Sequence, residues 1–207
     1  MELLERPTHL DNPPYPREDS RAKLIVELTE LAVTAPSVPS AVHPILEMLV
    51  GQTAAVGSAF FQLDSGYFKA RTASGAMPSG PQMDAILAHG LPSDTPLMRA
   101  LEQTPRPLFF DDTRRHPATQ GFPELGVTSL AAAPVRDREG RLLGAFLMHT
   151  FKAHAWGNTE ADLFGAVAGV LASLAARLVA EEDAKAKELE AVLAREDAIR
   201  SLGNPTT

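Results

Sequence analysis
Apolar positions along the chain change their spacing several times. Leu24, Ile25, Leu28, Leu31 and Ala32 recur on one helical face, which predicts a helix starting near Ser20. Pro36 and Pro39 are expected to end it. Ser40 then stands as a cap for a second helix, with Val42, Ile45, Leu46, Leu49 and Val50 on its apolar side. The segment 57–75 carries aromatic-rich runs on either side of Asp64, Ser65 and Gly66, which predicts a β-hairpin. Residues 76–106 are rich in Pro and Gly. Met83, Ile86 and Leu87 mark one short helix there, and Leu97, Met98 and Leu101 another. Pro107 to Asp111 reads as a short strand and 112–126 as a loop.

Val127 to Arg136 and Leu142 to Phe151 form the strongest strand pair, joined by a polar turn that ends in Gly140. Both strands are apolar at nearly every position, so both faces of their sheet should be covered. Thr159 with Asp162 fits a capping pattern at the start of a long helix. Its apolar stripe holds Leu163, Val167, Val170, Leu171, Leu174 and Leu178. Beyond Ala180 the helix turns polar: residues 181–200 hold seven acids and four bases. Leu189, Val192, Leu193, Ile199 and Leu202 continue at coiled-coil-like spacing, interrupted at Glu181, Lys185 and Glu196. This order predicts an α+β layer fold, a mostly antiparallel sheet with helices on both faces.

Composition narrows the chemistry. The 207 residues suit one domain with extensions. We expect an irregular leader over 1–19, which holds four prolines, a folded domain over 20–180 and a C-terminal helix and linker over 181–207. The chain has no cysteine, so thiolate nucleophiles, thiolate zinc sites and iron–sulfur clusters are excluded. The net charge of −7 with no basic stripe predicts no nucleic-acid partner. The first 20 residues lack the basic and apolar regions of a signal peptide. Leu163 to Ala180 is the one stretch resembling a membrane span, with Gly165 and Gly169 at the spacing used in close helix packing. Its many Ala and Gly residues, Ser173, Arg177 and acidic flanks favour a buried or dimer-packed helix of a cytoplasmic protein.

Several segments, in order, resemble the GAF domain, a small-molecule and protein-interaction module of signalling proteins. GSAFFQLD is similar to the family's first sheet strand, and PLFFDDTRRHP to the strand and loop that border its ligand pocket. The most specific match is GVTSLAAAPVRDREGRLLGAFLMHTF, in which Ser129, Pro134, Gly140, Leu143, Gly144 and Leu147 follow the family pattern. The resemblance spans about residues 20–180 and implies a GAF-like antiparallel sheet of about five to six strands, with a long C-terminal helix. Covalent bilin attachment and methionine-sulfoxide reductase chemistry both need cysteine, and the cyclic-nucleotide signature is absent. The run Ala198 to Thr207 is similar to the linker that leads into STAS domains of stressosome-type regulators.

The resemblance implies a ligand pocket between the sheet and the short helices of 81–124. Its expected lining is apolar: Phe60, Phe61 and Phe68 from the hairpin, Met83, Leu87, Leu97 and Met98 from the short helices, and Phe110 and Phe122 beyond them. Two histidines join the candidate ligand-binding set. His116 lies in a loop beside Arg114 and Arg115, where it could meet an anion, or else serve only in a turn capped by Asp. His149 lies on the last strand, where alternation groups it with Ala145, Leu147 and Phe151 and against Gly144, Phe146, Met148 and Thr150. Spacing alone does not say which group faces the pocket. His154 and Trp156 are expected to plug the start of the last helix.

No catalytic residues can be assembled, so the expected function is non-enzymatic: a sensory module that binds an unidentified small molecule. It would signal through the terminal helices of a homodimer to a downstream STAS, kinase or cyclase domain or partner. No cofactor is assigned. Two alternatives stay open. One is a haem- or metal-binding gas or redox sensor using His149 or His116. The other is a pocketless scaffold that only dimerises.

Overall fold
The computed structural model describes residues 26–31, 33–35, 38–137 and 139–202; the expected leader and the last five residues of the tail lie outside the described residues. Helix α1 is seen over 26–31 and 33–34. It is followed by α2 (Val38–Gln52), the hairpin β1 (Gly57–Asp64) and β2 (Tyr67–Gly75), then α3 (Pro81–His89), β3 (Leu91–Pro92) and α4 (Pro96–Glu102). Strand β4 (Leu108–Phe110) leads through three 3-10 turns to β5 (Ser129–Arg136) and β6 (Leu142–Thr150), and α5 (Asn158–Leu202) closes the chain.

The six strands form one sheet in the order β3-β2-β1-β6-β5-β4, and every neighbouring pair is antiparallel. The hairpin forms where the aromatic-rich runs predicted it. Ser65 and Gly66 take φ of 51° and 84°, the paired left-handed geometry whose twist matches the flanking strands. The β1–β2 register slips between Phe60 and Phe61, leaving Arg71 as the extra residue of a bulge on β2. Between β5 and β6, the Asp137 carboxylate accepts the N–H groups of Glu139 and Arg141 at 2.9 and 2.8 Å and so fixes the predicted turn.

Because strand side chains alternate, the sheet separates two cores. One face carries Phe60, Ala131, Ala133, Val135, Phe146 and Met148, covered by α1, α2 and α5. There Phe164 of α5 stacks on Phe146 with ring centroids 4.5 Å apart and meets Phe109 edge-on at 5.7 Å. Such ring pairs add about 0.5–1.5 kcal/mol each beyond area burial. The other face carries Ala59, Phe61, Leu130, Ala132, Ala145 and Leu147, beneath α3, α4 and the loops.

The apolar stripe of α5 therefore has a core partner: Leu163, Phe164, Val167, Leu171 and Leu174 are buried in the first core. The segment Asn158–Arg177 is long and apolar enough to cross a membrane by length and composition, yet this buried face accounts for its apolarity. Arg177 donates from its guanidinium to the carbonyls of Val33 and Ala35, tying α5 to the end of α1.

Two helix starts differ from expectation. Helix α2 begins at Val38, so Ser40 lies inside it and Pro39 sits in its first turn, where a missing N–H costs no helical bond. At α5 the cap lies two residues upstream of the predicted pair. The Gly157 N–H donates to Glu160 Oε2 at 3.1 Å, the return half of a capping box. Glu160 is 3% exposed. It also accepts the Ala54 N–H at 2.9 Å and meets His154 Nε2 at 2.7 Å, so one carboxylate joins the end of α2 to the start of α5. Burial alone would raise its pKa, but these hydrogen bonds outweigh burial and hold it below the ordinary range.

Candidate functional site
Between the second face of the sheet and the short helices lies a cavity of about 200 Å3. Its floor is Ala59 and Phe61 of β1, Leu130 of β5, and Leu147 and His149 of β6. The roof comes from α3 and α4. Proline opens both helices, and each buries a small apolar set: Met83 in α3, and Leu97, Met98 and Leu101 in α4. Met77, Pro78, Gln82, Gln120 and Phe122 complete the wall where the loops meet.

His149 is the most constrained polar group on this wall. It is 5% exposed, and its Nε2 lies 3.1 Å from the Ala76 carbonyl oxygen. A carbonyl only accepts, so Nε2 carries the proton and Nδ1 is left as an acceptor. Burial pushes the imidazole below its ordinary 6.5, opposed in part by the Ala76 bond, so the ring is neutral at pH 7. The sequence makes room for it opposite Gly57, its partner across the β1–β6 ladder. A Cβ at that position would collide with the Ala76 carbonyl and lie 2.7 Å from His149 Cε1.

Thr95 is the second polar wall residue. It occupies the N-cap of α4, but its hydroxyl does not cap the helix. Thr95 Oγ1 is buried and has no hydrogen-bond partner. The cavity wall contains no Asp, Glu, Lys or Arg.

Of the residues expected to line a pocket, Phe61, Met83, Leu97, Met98, Phe122 and His149 stand on this cavity. The others do not. Phe60 belongs to the opposite core, because adjacent strand residues point to opposite faces. Phe68 and Phe110 are buried in the core beneath the cavity rather than at its surface. Leu87 is 54% exposed; Ile86, three residues after Met83, takes the inward place. His116 lies on an adjoining, open depression of about 510 Å3 with Arg114 and Arg115, which shares Gln120 and Gly121 with the cavity, its ring edge-on to Phe110 at 5.1 Å. Both arginines are ion-paired to Asp112 at 3.0 and 3.3 Å, and Asp112 caps the 3-10 turn through the Arg114 N–H. The Arg114 side chain holds that carboxyl below the usual range. This loop is built as a capped turn with its charges already partnered.

The β6 alternation is now resolved: Leu147 and His149 face the cavity, while Phe146 and Met148 face α5. Ala59 was implied by its place two residues before Phe61, and Leu147 by its place two before His149. Thr95, Gln82 and Gln120 carried no periodic signal, since they sit at a cap, in a first helical turn and in a loop. Trp156 plugs the start of α5, donating its indole N–H to the Phe110 carbonyl at 3.3 Å and meeting His154 edge-on at 4.8 Å. Among the described residues, no three of His, Asp or Glu gather where a metal ion could be held.

The family model for the GAF domain matches residues 38–174. No curated protein matches the chain. Among solved structures, the fold is similar to the GAF domain of a phosphoenolpyruvate-protein phosphotransferase from Coxiella burnetii. The TM-score is 0.64 at 19% identity, over 79% of this chain and 96% of that one. It is also similar to free methionine-R-sulfoxide reductase from Neisseria meningitidis in complex with its substrate, with TM-score 0.59, 14% identity and coverage of 80% and 96%. A third likeness is to a phycocyanobilin-bound GAF domain from a cyanobacterial phytochrome, with TM-score 0.59, 13% identity and coverage of 76% and 94%.

Proposed function
The chain belongs to the GAF domain family, and from that premise we propose that it is a non-enzymatic sensory module that binds a small molecule in the cavity between its sheet and short helices. The observation that carries this reading is the apolar cavity of about 200 Å3 between the sheet and its short helices, among the described residues. Interiors pack with few voids larger than a water molecule, so a space of this size needs a reason. Its walls supply apolar area for affinity and a few polar groups for orientation. The absence of cysteine removes bilin linkage and sulfoxide reduction from the chemistry open to this chain.

The output in this reading is a change in how two copies pair. Leu189, Val192 and Leu193 of α5 are 60%, 48% and 52% exposed, and Val26 and Val33 of α1 are 56% and 67% exposed. Two such chains pairing through α1 and α5 would cover these positions, and ligand-dependent register would pass to a STAS, kinase or cyclase partner. A haem reading draws less support. The cavity falls short of the roughly 300 Å3 at which sites for drug-sized ligands begin, and His149 Nε2 is already engaged by Ala76.

A thermal-shift screen of small neutral compounds on the wild type and on Ala59→Phe tests the sensor reading. Stabilisation of the wild type that is lost in Ala59→Phe supports it. A screen in which nothing stabilises the wild type would favour the dimerisation scaffold instead. Sedimentation velocity at tens of micromolar should show a dimer; a monomer would remove the helix-pairing output.

A further inference from the structure
We propose that the cavity selects a neutral, single-ring molecule bearing one hydroxyl group, which hydrogen-bonds to Thr95 Oγ1. This inference rests on the sensor reading above and adds the chemical class of the ligand.

Size sets the first limit. An apolar cavity of about 150 Å3 holds one benzene ring, so about 200 Å3 matches one ring with a substituent. Charge sets the second. The wall holds no cationic or anionic side chain, and His149 is kept neutral by burial. A carboxylate or ammonium would surrender its hydration and find no counter-charge. Shape and softness set the third. Phe61, Met83, Met98 and Phe122 offer ring and thioether surfaces that pack well against a flat ring.

Thr95 supplies the orienting group. A buried hydroxyl without a partner is unusual in a folded protein, and this one belongs to a residue of the cavity wall. Its neighbours do not use it: the α4 N-cap position is filled, but the side chain makes no capping bond. A χ1 rotation that turned Oγ1 into the cavity would give it, in a ligand oxygen, the partner it lacks. A ring with a hydroxyl satisfies both sides of that contact; a bare hydrocarbon satisfies neither.

Isothermal titration at pH 8 with phenol, toluene and benzoate as probes decides the matter on the intact chain. Phenol should bind about fivefold more tightly than toluene, the ratio of one net hydrogen bond, and benzoate at least tenfold more weakly than phenol. Thr95→Val should bring phenol to the affinity of toluene and leave toluene within about twofold, which also reports that the variant folds. Thr95→Ser should keep the phenol preference. Benzoate binding as tightly as phenol, or a phenol-to-toluene ratio unchanged in Thr95→Val, overturns this inference and leaves the sensor reading standing. Failure of all three probes on a protein that other screened compounds still stabilise likewise overturns only the inference. Failure of every screened compound overturns both.

Discussion
The two faces of the sheet are made from the same six strands yet are packed to different standards. On the α5 face, long helices lay continuous apolar stripes across the strands, and Phe146, Phe164, Ile45, Leu46 and Leu171 are almost wholly buried. On the cavity face, the cover is a nine-residue helix, a seven-residue helix and loops. Residues 76–126 hold eight of the chain's 17 prolines. Proline stops helices early, and short elements cannot tile a twisted sheet without leaving gaps. The space on that side is a consequence of how the covering layer is punctuated, while the opposite side supplies the stability that tolerates it.

Substitutions that act on one face at a time sharpen this contrast. The largest effect is expected for Phe164→Ala, which removes a ring touching Phe146 and Phe109 and should cost about 3–5 kcal/mol in urea unfolding. The most direct comparison applies one chemical change to both sides. Ala131→Leu, in the packed core, should cost about 1–3 kcal/mol by overpacking. Ala59→Leu, on the cavity floor, should change stability by less than about 1 kcal/mol because the added methyls enter existing space. Equal losses at the two sites would mean that the faces do not differ.

The gentlest probe is pH. The folded pKa of His149 lies below its ordinary 6.5, so the unfolded chain takes up a proton there that the folded chain refuses. This contribution is complete above pH 6.5 and is lost as pH falls below it. Glu160 is held below its ordinary 4.5, so its contribution is lost in a second window under that value. Urea midpoints followed downward from pH 8 should fall in these two stages, and His149→Gln should flatten the first. A stability that rises as pH drops from 7 to 5.5 would contradict the burial of His149.

Much of this architecture was legible from residue order. Asp64-Ser65-Gly66 between aromatic runs marked the hairpin, and the near-continuous apolarity of 127–136 and 142–151 marked strands covered on both sides. The GAF resemblance anticipated the sheet and its long last helix. Side-chain direction was harder. Phe60 and Phe61 point to opposite faces by alternation, and Ile86 and Leu87 are separated by about 100° of helix rotation, which composition does not report. The two-residue strand β3 has too few positions to show any period. Glu160 was missed because its partners, Ala54 and His154, are backbone and loop groups brought near only by folding. Thr95 was missed for the opposite reason: what distinguishes it is a bond it does not make.

Helix α5 carries one consequence beyond packing. It runs unbroken to Leu202, with no glycine or proline from 170 onward to soften it. The portion from position 180 to Leu202 is about 33 Å of projecting helix. A tilt of about 5° at Phe164, where the shaft rests on Phe146, would swing its tip, about 57 Å away, by about 5 Å, a geometric gain that follows from the 1.5 Å rise per residue. Leverage of that kind makes a sub-ångström adjustment under the sheet legible to whatever grips the far end.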